Sequence, residues 1–183
     1  MLAADVAAVA LIACSVLAAG SIVWFTFKTG ISPMPSSVKA GRTMLAASAD
    51  APDGPIVDLG SGWGTLAIVF ARKHPARQVI GYEVSWFPWL VSSLLQRLLR
   101  LHNLSFRRED FRRAELSNAA VLLCYLFPRG MQDLARKLAR DRCGPVTVIS
   151  NTFALPSFAP DEVIQLDDVY RTRIYVYRRR PRA

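Results

Sequence analysis

From Ile56 onward the chain alternates short apolar runs with longer amphipathic stretches. Ile56–Leu59, apolar apart from Asp58, reads as a buried strand. The pattern then predicts a helix over 65–73, a strand over 78–83, a helix over 89–101, a short strand over 104–106, a strand over 121–126, a helix over 130–140 and a strand over 146–151. Such alternation predicts an α/β fold with a parallel sheet and helices on both faces. The first strand, Asp58 aside, and the fourth read as buried apolar runs, as a sheet covered on both sides requires. Beyond Asn151, Pro156 and Pro160 oppose a helix. The runs 163–166 and 173–177 flank an Asp-Asp turn and predict an antiparallel hairpin that closes the sheet. Leu94, Leu95, Leu98, Leu99 and Leu101 recur at helical spacing and predict a buried face.

Upstream of this core the pattern changes twice. Residues 38–47 read as a helix, and the Gly- and Pro-rich stretch after it reads as a break. Residues 30–37 carry Gly30, Pro33 and Pro35 among serines, as a stiff linker does. From Val6 to Phe27 no residue is charged, and a helix of that length spans roughly 33 Å, enough to cross a bilayer. Asp5 stands where a signal peptide would carry basic residues, which favours an anchor over a cleaved leader. Trp24, Phe25, Phe27 and Lys28 close the run, with Lys39 and Arg42 beyond, so the following domain is expected on the cytoplasmic side of a single-pass anchor. Three segments result: an anchor over 1–29, a linker and pre-domain helix over 30–54, and one domain over 55–183.

Composition sharpens this. The chain has 183 residues, 52% of them hydrophobic, and a formal net charge of +9. Because Asp5 is the only charge before Lys28, the basic excess belongs to the domain and favours an anionic neighbour. Arg171 to Arg182 holds six arginines and no carboxylate. Beside a membrane, that tail is expected to meet anionic lipid headgroups rather than nucleic acid. Cys14, Cys124 and Cys143 have neither metal-site nor disulfide spacing, so no metal is expected. His74 and His102 fall near helix ends and read as surface or capping residues.

The chemistry concentrates at Asp58-Leu59-Gly60-Ser61-Gly62-Trp63-Gly64-Thr65. A buried strand runs into three alternate glycines and then into a helix, which lays bare backbone at the carboxyl edge of the sheet, where ligands bind. A dinucleotide fingerprint needs a glycine where Thr65 stands. Asp58 beside the loop repels a pyrophosphate but can attract an ammonium or, through water, a sulfonium ligand, so S-adenosylmethionine is favoured over NAD. Glu83 ends the second strand, where a carboxylate can accept from both ribose hydroxyls. Asp110 follows the third strand. It either accepts from an adenine amino group, with Phe111 stacking nearby, or caps the next turn.

Residues 56–64, Glu83 and Asp110 together resemble the first three motifs of class I methyltransferases. Three segments resemble, more narrowly, the small membrane-anchored lysine methyltransferases of the ATP synthase c subunit and the adenine nucleotide translocase. These are Pro33-Met34-Pro35-Ser36, Gly81-Tyr82-Glu83 with Pro88-Trp89-Leu90-Val91, and Tyr125-Leu126-Phe127-Pro128. The resemblance implies a Rossmann-like sheet and a loop binding S-adenosylmethionine through Asp58, Gly60, Ser61, Gly62, Trp63 and Gly64, with Glu83 on the ribose and Asp110 and Phe111 at the adenine. It also implies that Tyr125 to Pro128 borders the transferred methyl group. The sequence departs from the family at Ser85–Phe87, where an Asn is usual, and in a shortened region after Asn151.

The expected reaction is methylation of a lysine on a membrane-associated protein. Tyr125 would orient the amine by its hydroxyl or ring face, and Pro35 and Ser36 would form the lip. Trp86, Phe87 and Trp89 are either core or a membrane- or substrate-facing patch. Two other classes stay open: a methyltransferase acting on a lipid or small hydrophobic molecule, and a non-enzymatic nucleotide- or RNA-binding module.

Overall fold

The computed structural model describes residues 5–9, 12, 20, 36–141 and 146–179. Ser37 opens the first helix of the domain: its side chain accepts the Ala40 N–H, and α1 runs over Val38–Ala47. Then follow β1 (Ile56–Leu59), α2 (Thr65–Lys73), β2 (Val79–Tyr82), α3 (Trp86–Leu98), β3 (Leu104–Arg107), β4 (Val121–Cys124), α4 (Pro128–Arg140), β5 (Val146–Asn151), β6 (Glu162–Gln165) and β7 (Arg173–Arg179). His74 ends α2 as its C-cap.

The sheet order is β3-β2-β1-β4-β5-β7-β6. β1 to β5 are mutually parallel, whereas β7 runs antiparallel to both β5 and β6. The chain therefore reverses its winding direction between β1 and β4, and the crevice at their carboxyl ends is the topological switch point. β1, β4 and β5 are buried along their whole lengths. Alternate side chains feed two cores. Val57, Leu59, Leu122 and Val148 pack with α4 residues Met131, Leu134 and Leu138 on one face. Ile56, Leu123 and Ile149 pack with Met44 of α1 and Phe70 of α2 on the other.

Two helices start earlier than their apolar periodicity predicts. α3 begins at Trp86 rather than 89, and α4 at Pro128 rather than 130. Pro88 and Pro128 occupy first turns, where the backbone N–H has no intrahelical partner and its loss costs little. A further expectation is corrected at α3. Only Pro88 and Ser92 of this helix are buried, while Leu94, Leu98 and Leu99 are exposed. The helix covers β3, an edge strand, with Pro88 and Ser92 buried and the Trp89 indole bonded to the sheet; Leu95 and Leu101 pack against the core as expected, whereas Leu94, Leu98 and Leu99 turn outward.

Among the described residues no helix is long and apolar enough to cross a membrane. Most of the Val6–Phe27 run expected to do so lies outside the described residues, as do Pro35, Arg180 and Arg182.

Candidate active site

The register of the parallel strands builds the site. Leu59 of β1 stands level with Tyr82 of β2 and Cys124 of β4, and Cys124 with Ser150 of β5. The next residues along these strands, Gly60, Glu83, Tyr125 and Asn151, therefore emerge at one sheet edge.

Gly60, Gly62 and Gly64 all adopt positive φ, but they serve different ends. A Cβ at Gly64 would lie 2.5 Å from Phe106 Cζ and 2.9 Å from Ser92 Cβ, so bareness there lets α2 and α3 close on β3. A Cβ at Gly62, with φ +52°, would meet nothing within 4 Å. Gly62 thus borders open space at the sheet edge, the cradle a ligand needs. The loop is tied down from both sides. Gly60 and Ser61 donate their backbone N–H to the Tyr82 carbonyl at 2.9 and 2.8 Å. Gly62 donates its N–H to Glu83 Oε2 at 2.8 Å. The other oxygen, Glu83 Oε1, accepts the Ser85 N–H at 2.7 Å, so one carboxylate joins the glycine loop to the entry of α3.

Asp58 is buried on the α2 side of β1. The backbone of Ala67, in the first turn of α2, hydrogen-bonds to it, and this replaces the side-chain cap that Gly64 cannot provide. Its other oxygen, Oδ2, has no hydrogen-bond partner among the described residues, and neither has the buried Ser61 Oγ. Burial, reinforced by the nearby Glu83 charge and opposed by the Ala67 hydrogen bond, pushes the Asp58 carboxyl up to about 7. A cation arriving beside it would reverse that shift. These groups fit an adenosyl sulfonium: a bare loop, an unsatisfied carboxylate oxygen and hydroxyl, and a fixed acid on the next strand.

Asp110 is engaged differently. Its Oδ1 accepts the Arg112 backbone N–H at 3.0 Å, and its carboxylate pairs with the Arg112 guanidinium, which holds the Asp110 pKa below the usual carboxylate range. The capping alternative thus has its hydrogen bond. Phe111 packs partly buried against the core formed with α4. Trp63 meets Phe87 edge-to-face at 5.8 Å between ring centroids, which joins the glycine loop to the first turn of α3. Trp89 is held to the sheet, its indole N–H donating to the Phe106 carbonyl at 3.1 Å, whereas Trp86 is exposed.

On the other side of the crevice, Tyr125 stacks on Phe153 at 6.4 Å and Phe127 tilts against Phe153 at 5.5 Å. Pro128 is exposed at the start of α4, next to Phe127. Phe153 carries no motif and escapes sequence reasoning. It reaches Tyr125 through the loop after β5, where Thr152 takes φ +69° and Ser150 Oγ donates to the Phe153 carbonyl at 2.6 Å. Asn151, also unforeseen, donates its side-chain N–H to Ser36 Oγ at 3.2 Å and so draws the pre-domain linker onto the same edge.

A family model described as the ANTKMT methyltransferase domain matches residues 58–162. The mouse adenine nucleotide translocase lysine N-methyltransferase is 31% identical over 119 residues, covering 61% of this chain and 48% of that protein. The human lysine N-methyltransferase of the ATP synthase c subunit is 32% identical over 113 residues, covering 60% and 47%. The chain thus spans about half the length of the curated relatives it matches. Among solved structures, an RNA methyltransferase from Salinibacter ruber in complex with S-adenosyl-L-homocysteine superposes with a TM-score of 0.71 and 25% identity, over 79% of this chain and 93% of that one.

Proposed function

The chain belongs to the ANTKMT methyltransferase domain family, and from that premise we propose that it transfers a methyl group from S-adenosylmethionine to a lysine of a membrane-associated protein. The observation that carries the cofactor half is the unpartnered Asp58 Oδ2 buried beside a loop whose Gly62 leaves room for a ligand. Asp58, Gly60, Ser61, Gly62, Trp63 and Gly64 would hold the cofactor, with Glu83 on the ribose. Glu83 already accepts two N–H donors, and its carboxylate oxygens retain lone pairs for hydroxyls. Asp110 and Phe111 remain the adenine-side residues, Asp110 acting with Arg112 as one unit.

S-adenosylmethionine, when bound, supplies a methyl carbon already activated by its sulfonium. What remains for the protein is to place and desolvate the acceptor. The ε-amine must arrive neutral, and an apolar rim disfavours the ammonium form, so its proton is released to water before attack. Tyr125, Phe127 and Phe153 form such a rim; the Tyr125 hydroxyl or ring face would orient the neutral nitrogen, and the ring faces meet the positive charge that develops on it as the methyl group is transferred. Pro128, Pro35 and Ser36 would border the entry, Ser36 through its bond to Asn151. No triad is needed.

The lysine acceptor is supported by the names of the relatives. A single-pass anchor with the domain on the cytoplasmic side is supported by the uncharged Val6–Phe27 run and its basic C-terminal flank, and the arginine tail would meet anionic headgroups. Incubating the purified chain with cellular membranes and methyl-labelled cofactor, then mapping the label by mass, tests this. Methyl-lysine in a membrane protein is expected. Label confined to extracted lipid would move the acceptor to lipid, and no incorporation would contradict the reaction.

A further inference from the structure

The outward face of α3 is an apolar stripe without a partner among the described residues. Trp86, Leu90, Leu94 and Leu98 follow one another at intervals of four residues, each 40–68% exposed. A soluble helix at a sheet edge turns charged residues to water there. Instead, no acid occurs between Glu83 and Glu109, while Arg97, Arg100, Arg107 and Arg108 all do, and all four are exposed. Apolar anchors, with Arg97 and Arg100 at the leucine end of the stripe and Arg107 and Arg108 at the β3 tip near its tryptophan end, make up the surface that lies in the interface of an anionic bilayer.

We propose that α3 docks the folded domain flat on an anionic membrane, separately from any anchoring by the N-terminal run. The occupant follows from charge: four cations uncompensated on that stretch favour phosphate headgroups over a second copy of the same basic face. The consequence reaches the crevice. Phe87, next to Trp86, touches Trp63 of the glycine loop, so a bilayer on the stripe would bring the glycine-loop side of the crevice near headgroup level. Docking of this kind does not depend on methyl transfer.

The test uses the full chain in proteoliposomes of phosphatidylcholine, with or without phosphatidylglycerol, and a photoactivated carbene reagent confined to the bilayer. Peptides covering 86–98 should take up roughly tenfold more label than the exposed face of α4, more so with phosphatidylglycerol, and the double variant Leu94→Glu with Leu98→Glu should lose that excess. Both leucines are exposed, so the variant should fold, which S-adenosylhomocysteine binding in the same vesicles checks. Equal labelling of α3 and α4 with cofactor binding intact would overturn docking while leaving the proposed reaction standing. A cross-link from Leu94→Cys to a second copy, or to the chain's own N-terminal run, would overturn it as well.

Discussion

Glu83 accepts the Gly62 N–H at 2.8 Å, so an acid at the tip of one strand fixes the loop that rises from the neighbouring strand. The same carboxylate holds the Ser85 N–H at 2.7 Å, which makes it a structural link as well as a candidate ribose acceptor. Glu83→Ala should therefore weaken S-adenosylhomocysteine binding by at least about tenfold and lower stability by roughly 1–3 kcal/mol. Fluorescence titration and thermal melting check the two effects. Unchanged affinity in a folded variant would remove Glu83 from the site.

Gly62 and Gly64 separate site from fold. Gly64→Ala drives a Cβ to 2.5 Å from Phe106 and should destabilise by about 2–4 kcal/mol, read as a lowered urea midpoint. Gly62→Ala has free space and should cost only about 1–2 kcal/mol for its left-handed φ, yet its methyl group enters the cradle and should abolish cofactor binding.

Asp58 titrates near neutrality, and the sign matters. Its folded carboxyl, at about 7, lies above the ordinary 3.8, so the native state retains a proton that the unfolded chain has lost. Stability falls as pH rises from about 4 to 7. Asp58→Asn, which stays neutral, should melt higher than the wild type at pH 8 by an equivalent of about 1–3 kcal/mol, and the gain should shrink towards pH 5. A pH-independent difference in melting would contradict the buried, unpartnered carboxylate. The same variant should lose cofactor affinity.

Phe153→Ala opens the aromatic rim without touching the glycine loop. Methylation of the protein acceptor should fall by about tenfold or more while S-adenosylhomocysteine affinity is kept, and Phe153→Tyr should restore most of the activity, because in the proposed reaction a ring face meets the amine. Steady-state kinetics against acceptor concentration reads the difference.

The sheet and the glycine-loop half of the candidate site were legible because both rest on local pattern. Apolar runs buried along their length mark β1 and β4, and a strand running into Gly60, Gly62 and Gly64 suggests a ligand edge. What escaped depended on tertiary placement. Periodicity finds the apolar positions of α3 but not which of them face the sheet: Leu95 packs inward with Pro88 and Ser92, while Leu94 and Leu98 face out. Phe153 meets Tyr125 only because Thr152 turns the chain at positive φ. Ser36 meets Asn151 across more than a hundred residues. Asp110 offered two readings from sequence, and only the structure puts Arg112 on its carboxylate.

The most direct measurement is a calorimetric titration of S-adenosylhomocysteine into the full chain and into Gly62→Ala at neutral pH. Saturable one-site binding at about 10 μM or tighter in the wild type, absent from the variant, is expected. No binding to the wild type, or equal binding to both, would contradict a cofactor site at the glycine loop.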